Sequence, residues 1–104
     1  MEPKNDEMLY RSFLRGDDDG LQILMERYGN SLTLYIDGYL HDIHEAEDLM
    51  IEAFAYFVAK KPYIRDGGFR AYLYKSARHL ALRCLQKKRR QRIFSFEELE
   101  QEPE

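Results

Sequence analysis

Cationic and aromatic side chains alternate between residues 63 and 92, and they carry most of the recognition chemistry that this sequence offers. The cations are Arg65, Arg70, Lys75, Arg78, Arg83, Lys87, Lys88, Arg89, Arg90 and Arg92, and the rings are Tyr63, Phe69, Tyr72 and Tyr74. Lysine and arginine side chains bind phosphates, and aromatic rings stack on unpaired bases. The pattern therefore indicates binding of nucleic acid. For Phe69 and Tyr72, packing in the core is the alternative to stacking on bases. Tyr63 and Tyr74 are less strongly expected to lie in the core.

Side chains that could support catalysis or bind a metal ion are few. His41 and His44 lie three residues apart, with Glu45 and Asp48 further along, but solvent-facing histidines at a helix start explain this spacing better than a metal site. Cys84 falls on a predicted apolar face, where it acts as a small hydrophobic residue. The sequence has no glycine-rich phosphate loop, nucleophile elbow or His-Glu-x-x-His helix. We therefore expect no enzyme and no cofactor.

The net charge of −3 is an average over three unlike blocks. Residues 1–60 hold 13 acidic and 5 basic side chains, and residues 97–104 hold five glutamates and no base. Residues 61–96, in contrast, hold 11 basic side chains and one acid, Asp66. A cluster of like charges sets the electrostatic potential within about 8 Å of it at physiological salt. The basic residues of segment 61–96 therefore favour a polyanionic partner.

The length of 104 residues and the 44% content of hydrophobic residues suit one small globular domain. The single cysteine excludes a disulfide framework within the chain. No apolar run approaches the ~20 residues that span a bilayer, and the start of the chain lacks a signal-peptide pattern. We therefore expect a soluble, cytoplasmic domain.

Apolar residues recur at helical spacing in four segments, which predicts an all-α bundle of three to four helices. The helices are predicted over residues 5–15, 21–40 and 69–90, and over a segment that starts at Asp42 and that Pro62 ends. Glu45 has capping-box spacing to Asp42. The third helix is predicted to bury Ala46, Leu49, Met50, Ala53, Phe54, Phe57 and Val58. In the fourth, some of the cations can share one outward face, namely Arg70, Lys75, Arg78 and Arg83.

Two ordered motifs resemble a known family. Residues 45–54 read EAEDLMIEAF, and residues 69–81 read FRAYLYKSARHLA after a loop that ends in glycine. The chain strongly resembles the second conserved region of bacterial RNA polymerase sigma factors, in the style of the small extracytoplasmic-function group. The segment GDDDGLQILMERYG at residues 16–29 is similar to the start of that region.

The resemblance implies a domain that binds core RNA polymerase and that recognises and melts the promoter −10 element. The third helix would dock on the clamp coiled coil of the polymerase through Asp48, Leu49, Ile51, Glu52 and Phe54. The loop at residues 62–68 would receive a base flipped from the non-template strand. Contacts with DNA would come from Tyr63, Arg65, Phe69, Arg70, Tyr72, Tyr74, Lys75, Arg78, His79, Arg83 and Lys87.

The chain departs from the family pattern at three of these positions. Ile51 stands where glutamine is usual, Tyr72 replaces a common tryptophan, and His79 replaces a frequent asparagine. The resemblance assigns residues 1–96 to the helical domain and residues 97–104 to the acidic start of a linker, with the helix-turn-helix fourth region absent from this sequence.

Two other functions remain open from the sequence. The first is a sigma-like interaction module that binds polymerase or an anti-sigma regulator without opening promoter DNA. The second is a generic basic helical protein that binds duplex DNA unaided, with a steep dependence on salt. Transcription from a promoter in vitro distinguishes the sigma factor from both.

Overall fold

The computed structural model describes residues 5–101, and the side chains of residues 5–95. Within that part of the chain there are four α-helices and no strands. The helices are α1 (Asp6–Leu14), α2 (Asp18–Leu40), α3 (Ile43–Lys60) and α4 (Phe69–Gln101). The predicted all-α bundle is confirmed, and α2 packs against each of the other three helices.

Polar caps set the starts of the first three helices, as the sequence predicts for α3. Asn5, Asp17 and Asp42 each accept a hydrogen bond from a backbone N–H in the first turn that follows. The predicted capping box at Asp42 is only half formed, because the Glu45 carboxylate pairs with Lys88 of α4 instead. The start of α3 is thus held by the Asp42 cap and by the ion pair between Glu45 and Lys88, and not by a complete capping box.

The fourth helix is longer than the sequence analysis predicts. It continues past Arg90 to Gln101, because residues 69–101 contain no proline or glycine to end it. Ile93 and Phe94 are 50% and 62% exposed, so they extend the helix and do not pack on the bundle. The last turns of α4 therefore project as a charged helix beyond the core.

Aromatic rings from three helices fill the centre of the bundle around Phe57, which is fully buried. The rings of Phe54, Phe69, Tyr72 and Tyr10 lie within 5.3–6.1 Å of the Phe57 ring, centroid to centroid. This cluster joins α1, α3 and the start of α4.

The predicted core face of α3 is wrong at Val58, which is 57% exposed. Val58 follows directly on the buried Phe57 and is turned about 100° from it around the helix axis. It lies beside Ile51 at the edge of a shallow apolar groove between α2 and α3.

The start of α2 crosses α1 at close range, and this crossing requires a glycine. A Cβ placed on Gly20 would lie 2.2 Å from the carbonyl oxygen of Leu9 and 3.1 Å from the backbone nitrogen of Phe13. Nearby, the Asp6 carboxylate of α1 accepts hydrogen bonds from Arg27 and Tyr28 of α2. Backbone contact and side-chain contacts together fix α1 on α2.

We expect Gly20→Ala to lower the free energy of unfolding by about 1–3 kcal/mol, because the clashing atoms belong to the backbone of α1. The matched control is Gly38→Ala in the same helix, where a Cβ meets nothing within 4 Å. That change should raise the free energy of unfolding by up to about 1 kcal/mol. Urea denaturation of both variants tests this; equal effects would contradict the close crossing.

Candidate nucleic-acid and polymerase interfaces

The loop between α3 and α4 has a defined backbone path. Lys61, the residue directly after α3, has a left-handed φ of 43°, and Gly67 takes a φ of 81° near the end of the loop. A backbone hydrogen bond of 2.9 Å from Gly68 to Arg65 closes the turn that precedes α4. Tyr63 is 89% exposed at the start of this loop.

Helix α1 holds this loop in place from one side. The Tyr10 hydroxyl donates a hydrogen bond of 2.6 Å to the carbonyl oxygen of Pro62, and the Arg11 guanidinium pairs with Asp66 at 2.6 Å. Burial raises the pKa of Tyr10 to about 12, so its phenol stays protonated as a donor. Sequence reasoning missed both contacts, because they join residues more than 50 positions apart.

A groove of about 460 Å³ lies between the loop and α1. Its lining includes the exposed Tyr63 and Arg65 from the loop, and Tyr10 and Phe69 from behind it. Phe69 is 2% exposed, so its predicted role as a direct DNA contact is wrong for this structure. It packs on Phe57 and supports the loop groove from the core.

One flank of α4 meets α2 along a line of tyrosines and arginines. We call the set Tyr35, Tyr39, Arg70, Tyr74 and Arg78 the α2–α4 seam. The Tyr74 ring packs edge-on against Tyr35 with centroids 5.0 Å apart, and the Arg70 guanidinium lies over Tyr74 at 5.6 Å. Hydrogen bonds with Tyr35 and Arg78 lower the pKa of Tyr39. Tyr35 and Tyr39 are both half-buried.

The opposite flank of α4 faces α3. Tyr72, His79 and Arg83 line a groove of about 530 Å³ together with Tyr56 and Glu52 of α3; we call this the α3–α4 groove. The predicted common face for Arg70, Lys75, Arg78 and Arg83 is therefore wrong for Arg83. The five residues from Arg78 to Arg83 turn the helix by about 140°, which carries Arg83 to the other flank.

The remaining predicted DNA contacts are accessible. Lys75 and Lys87 are exposed, as are Arg65, Arg70, Arg78, His79 and Arg83, whereas Tyr72 and Tyr74 are half-buried. The cationic side chains thus lie on the surface, and the partly covered rings lie beside them.

The outward face of α3 carries most of the predicted polymerase contacts. Asp48 and Glu52 are exposed, Ile51 is 53% exposed, and Leu49 is half-buried behind them. Phe54 is 3% exposed in the core cluster, so its predicted role in direct contact with polymerase is wrong for this structure. Glu52 also lines the α3–α4 groove with Arg83, so the acidic and basic surfaces meet there.

Neither a metal site nor a membrane span is found in the described part of the chain. Among its residues, no group of three or more histidine, cysteine, aspartate and glutamate side chains is placed to hold a metal ion. Asp42, which lies between His41 and His44, caps α3. No helix in residues 5–101 combines the length and apolarity needed to cross a bilayer.

Comparison with known protein families identifies the fold. The family model for sigma-70 region 2 matches residues 24–91, which run from α2 through the loop into α4. The chain belongs to the sigma-70 region 2 family. No curated protein and no solved structure matches it significantly. Helix α1, which holds the loop, lies outside the matched residues.

Membership in the family assigns a sigma-factor role in the initiation of transcription. Sigma-70 region 2 domains interact with core RNA polymerase and promoter DNA, and they catalyse no reaction themselves. The predicted family and the predicted absence of enzymatic activity are thereby confirmed.

Proposed function

We propose that this domain binds core RNA polymerase through the outward face of α3 and melts the promoter −10 element with the loop and α4. The observation that carries the proposal is the placement of exposed carboxylates on α3, while exposed cations and half-buried rings lie on α4. Polymerase would therefore bind at α3 and promoter DNA at α4, so one small bundle can hold both partners together.

The polymerase contact would combine charge with a small apolar centre. Asp48 and Glu52 flank the exposed Ile51 one turn apart on α3. Such a surface suits a basic partner helix with an apolar stripe. Ile51, which stands where the family usually has glutamine, shifts this contact from polar to apolar.

The melting step needs no bond-making chemistry. Extraction of one base from a duplex costs a few kcal/mol of stacking and pairing, and a pocket with an aromatic platform offsets that cost. The loop groove beside Tyr63 and Arg65 is the candidate pocket. Cations on α4 would then hold the phosphates of the displaced strand.

The proposal is tested by charge reversal on α3. We expect Glu52→Lys and Asp48→Arg each to weaken binding of core polymerase at least about 10-fold, since like charges face one another at the contact. Glu26→Lys, an equal change at an exposed site of α2, is the matched control and should leave the affinity unchanged. Titration of labelled core polymerase measures all three; no difference between α3 variants and control would contradict the proposed surface.

A further inference from the structure

We propose that two copies of this chain associate, with the end of α4 of one copy seated in the apolar groove between α2 and α3 of the other. Four side chains at the end of α4 form the docking surface, which we call the tail patch: Arg89, Arg90, Ile93 and Phe94. The proposed DNA contacts on α4 end at Lys87, so the tail patch lies beyond them.

The tail patch lies on the part of α4 that projects past the core. Every residue from Arg89 to Ser95 is exposed, including Ile93 at 50% and Phe94 at 62%. Arg89 lies four residues before Ile93, and Arg90 lies four residues before Phe94, so the four side chains share one face of the helix. Two large apolar side chains together on an otherwise charged helix favour burial against a partner.

The groove between α2 and α3, which we call the α2–α3 groove, offers an apolar surface of matching character. It has a volume of about 390 Å³, and its lining is apolar apart from Asp18 and Gln22. At its rim Ile51 and Val58 are 53% and 57% exposed and lie two turns apart on α3. Behind them the lining comes from three helices, with Phe13, Leu21, Met25 and Phe54. Burial of the Phe94 ring there would remove apolar area from water on both copies.

Charge indicates how the tail patch would lie in this groove. Glu47 and Asp48 are exposed and precede Ile51 by one turn, so two carboxylates stand at that end of the groove. At the Val58 end, Lys61 lies 5.8 Å from the centre of the Phe13 ring. The arginines of the tail patch would therefore lie at the acidic end, and the apolar side chains would lie between Ile51 and Val58.

The tail patch cannot reach the groove of its own chain. Helix α4 continues as one helix to Gln101, and near its end Arg92 and Ser95 lie beside Leu40, at the end of α2. Leu21, in the α2–α3 groove, is about 28 Å from Leu40 along α2. The contact therefore requires a second copy, either in a reciprocal pair or in head-to-tail order.

The size of the contact indicates weak association. One turn and a half of helix in a shallow groove buries less than the roughly 1,200–2,000 Å² of a stable interface. We therefore expect a dissociation constant of about 10–200 µM. Such a contact forms at high local concentration and yields to a tighter partner.

Self-association would cover part of the proposed polymerase surface. Ile51 lies at the rim of the α2–α3 groove, and Asp48 stands one turn before it; both belong to the proposed polymerase contact. The tail patch has the basic and apolar character that this contact requires of a partner. Core polymerase would therefore displace the second copy, and this consequence alone rests on the proposed function.

Sedimentation equilibrium of the full chain at low salt tests the association. Over about 5–500 µM, which brackets the expected dissociation constant, the mass should rise above the 12.5 kDa of one chain. Phe94→Gln and Val58→Gln should each weaken association at least about 5-fold, and both sites are exposed enough to leave folding unchanged. Leu34→Gln, at a 66% exposed site on the side of α2 opposite Met25, is the control and should associate normally. A mass of one chain over the whole range would overturn the inference.

A mixture of the two variants identifies which surfaces meet. The Phe94→Gln chain keeps an intact α2–α3 groove, and the Val58→Gln chain keeps an intact tail patch. Together they should form one-to-one pairs more strongly than either variant associates alone. Normal association of the Val58→Gln chain would mean that two α4 ends pair with each other, and normal association of the Phe94→Gln chain would mean that two grooves do. Either result would overturn the inference.

The two proposals fail separately. Phe94 lies outside the proposed polymerase surface, so the Phe94→Gln chain should bind core polymerase as the unmodified chain does. Polymerase binding by a chain that stays monomeric would leave the proposed function standing and overturn the contact between tail patch and groove. Restored pairs in the mixture, from a chain that binds no polymerase, would support that contact and contradict the proposed function.

Discussion

Phe57→Ala is expected to lower the free energy of unfolding by about 3–5 kcal/mol. Phe57 is fully buried and lies in ring contact with α1 and α4 as well as its own helix. Its loss would open a cavity at the centre of the bundle, which the surrounding rings cannot all close at once. For a domain of this size, such a change removes a large part of the total stability.

The matched control for this prediction is Val58→Ala, the next residue along the chain. Val58 is 57% exposed, so its truncation should change the free energy of unfolding by less than about 0.5 kcal/mol. Thermal and urea denaturation, followed by far-ultraviolet circular dichroism, measure both variants. Similar losses in the two would contradict the observed orientation of α3.

The second large effect is expected from reversal of one cation in the seam. In a complex with core polymerase, Arg78→Glu should reduce promoter opening by about 10- to 100-fold, since a charge-assisted hydrogen bond contributes about 1.5–3 kcal/mol and a repulsive charge replaces it. The loss should shrink as salt rises, because phosphate contacts are screened. Core binding should be retained, since Arg78 lies on α4 away from Asp48 and Ile51.

Arg15→Glu is the control, because it makes the same change of charge at an exposed residue between α1 and α2. Permanganate reactivity of unpaired thymines reports the opening of DNA by each variant. If Arg78→Glu opened DNA as well as Arg15→Glu does, α4 could not be the surface that holds the strand.

The sequence predicted the elements of the fold well, because their signals are local. Asp17 and Asp42 cap the helices next to them, and Pro62 lies two residues after the end of α3. The end of α4 was harder to predict. No residue between Arg90 and Gln101 stops a helix, and basic and acidic side chains alike are compatible with one.

The site was predicted less completely, because it depends on which flank of a helix meets which neighbour. The exposure of Asp48 and Arg78 follows from polarity and periodicity. The separation of Arg78 from Arg83 follows from the positions of α2 and α3 around α4, which no local pattern in the sequence records. Phe54 and Phe69 illustrate the same limit, since an aromatic ring in a motif suits both a core and a contact surface.

Helix α1 shows how a distant element can matter to the site. Tyr10 and Arg11 bind the loop through contacts that span more than 50 residues of sequence. The hydroxyl of a buried tyrosine usually requires a hydrogen-bond partner, but the burial of Tyr10 is seen only in the structure.

The most direct test of the proposed mechanism is permanganate footprinting of a randomised library of duplex DNA fragments with core polymerase and the full chain. We predict that a subset of fragments acquires reactive thymines on one strand, that core polymerase alone produces none, and that Glu52→Lys abolishes the signal. Stable binding of the chain to core polymerase without any reactive thymine in the library would contradict the proposal that this domain melts promoter DNA.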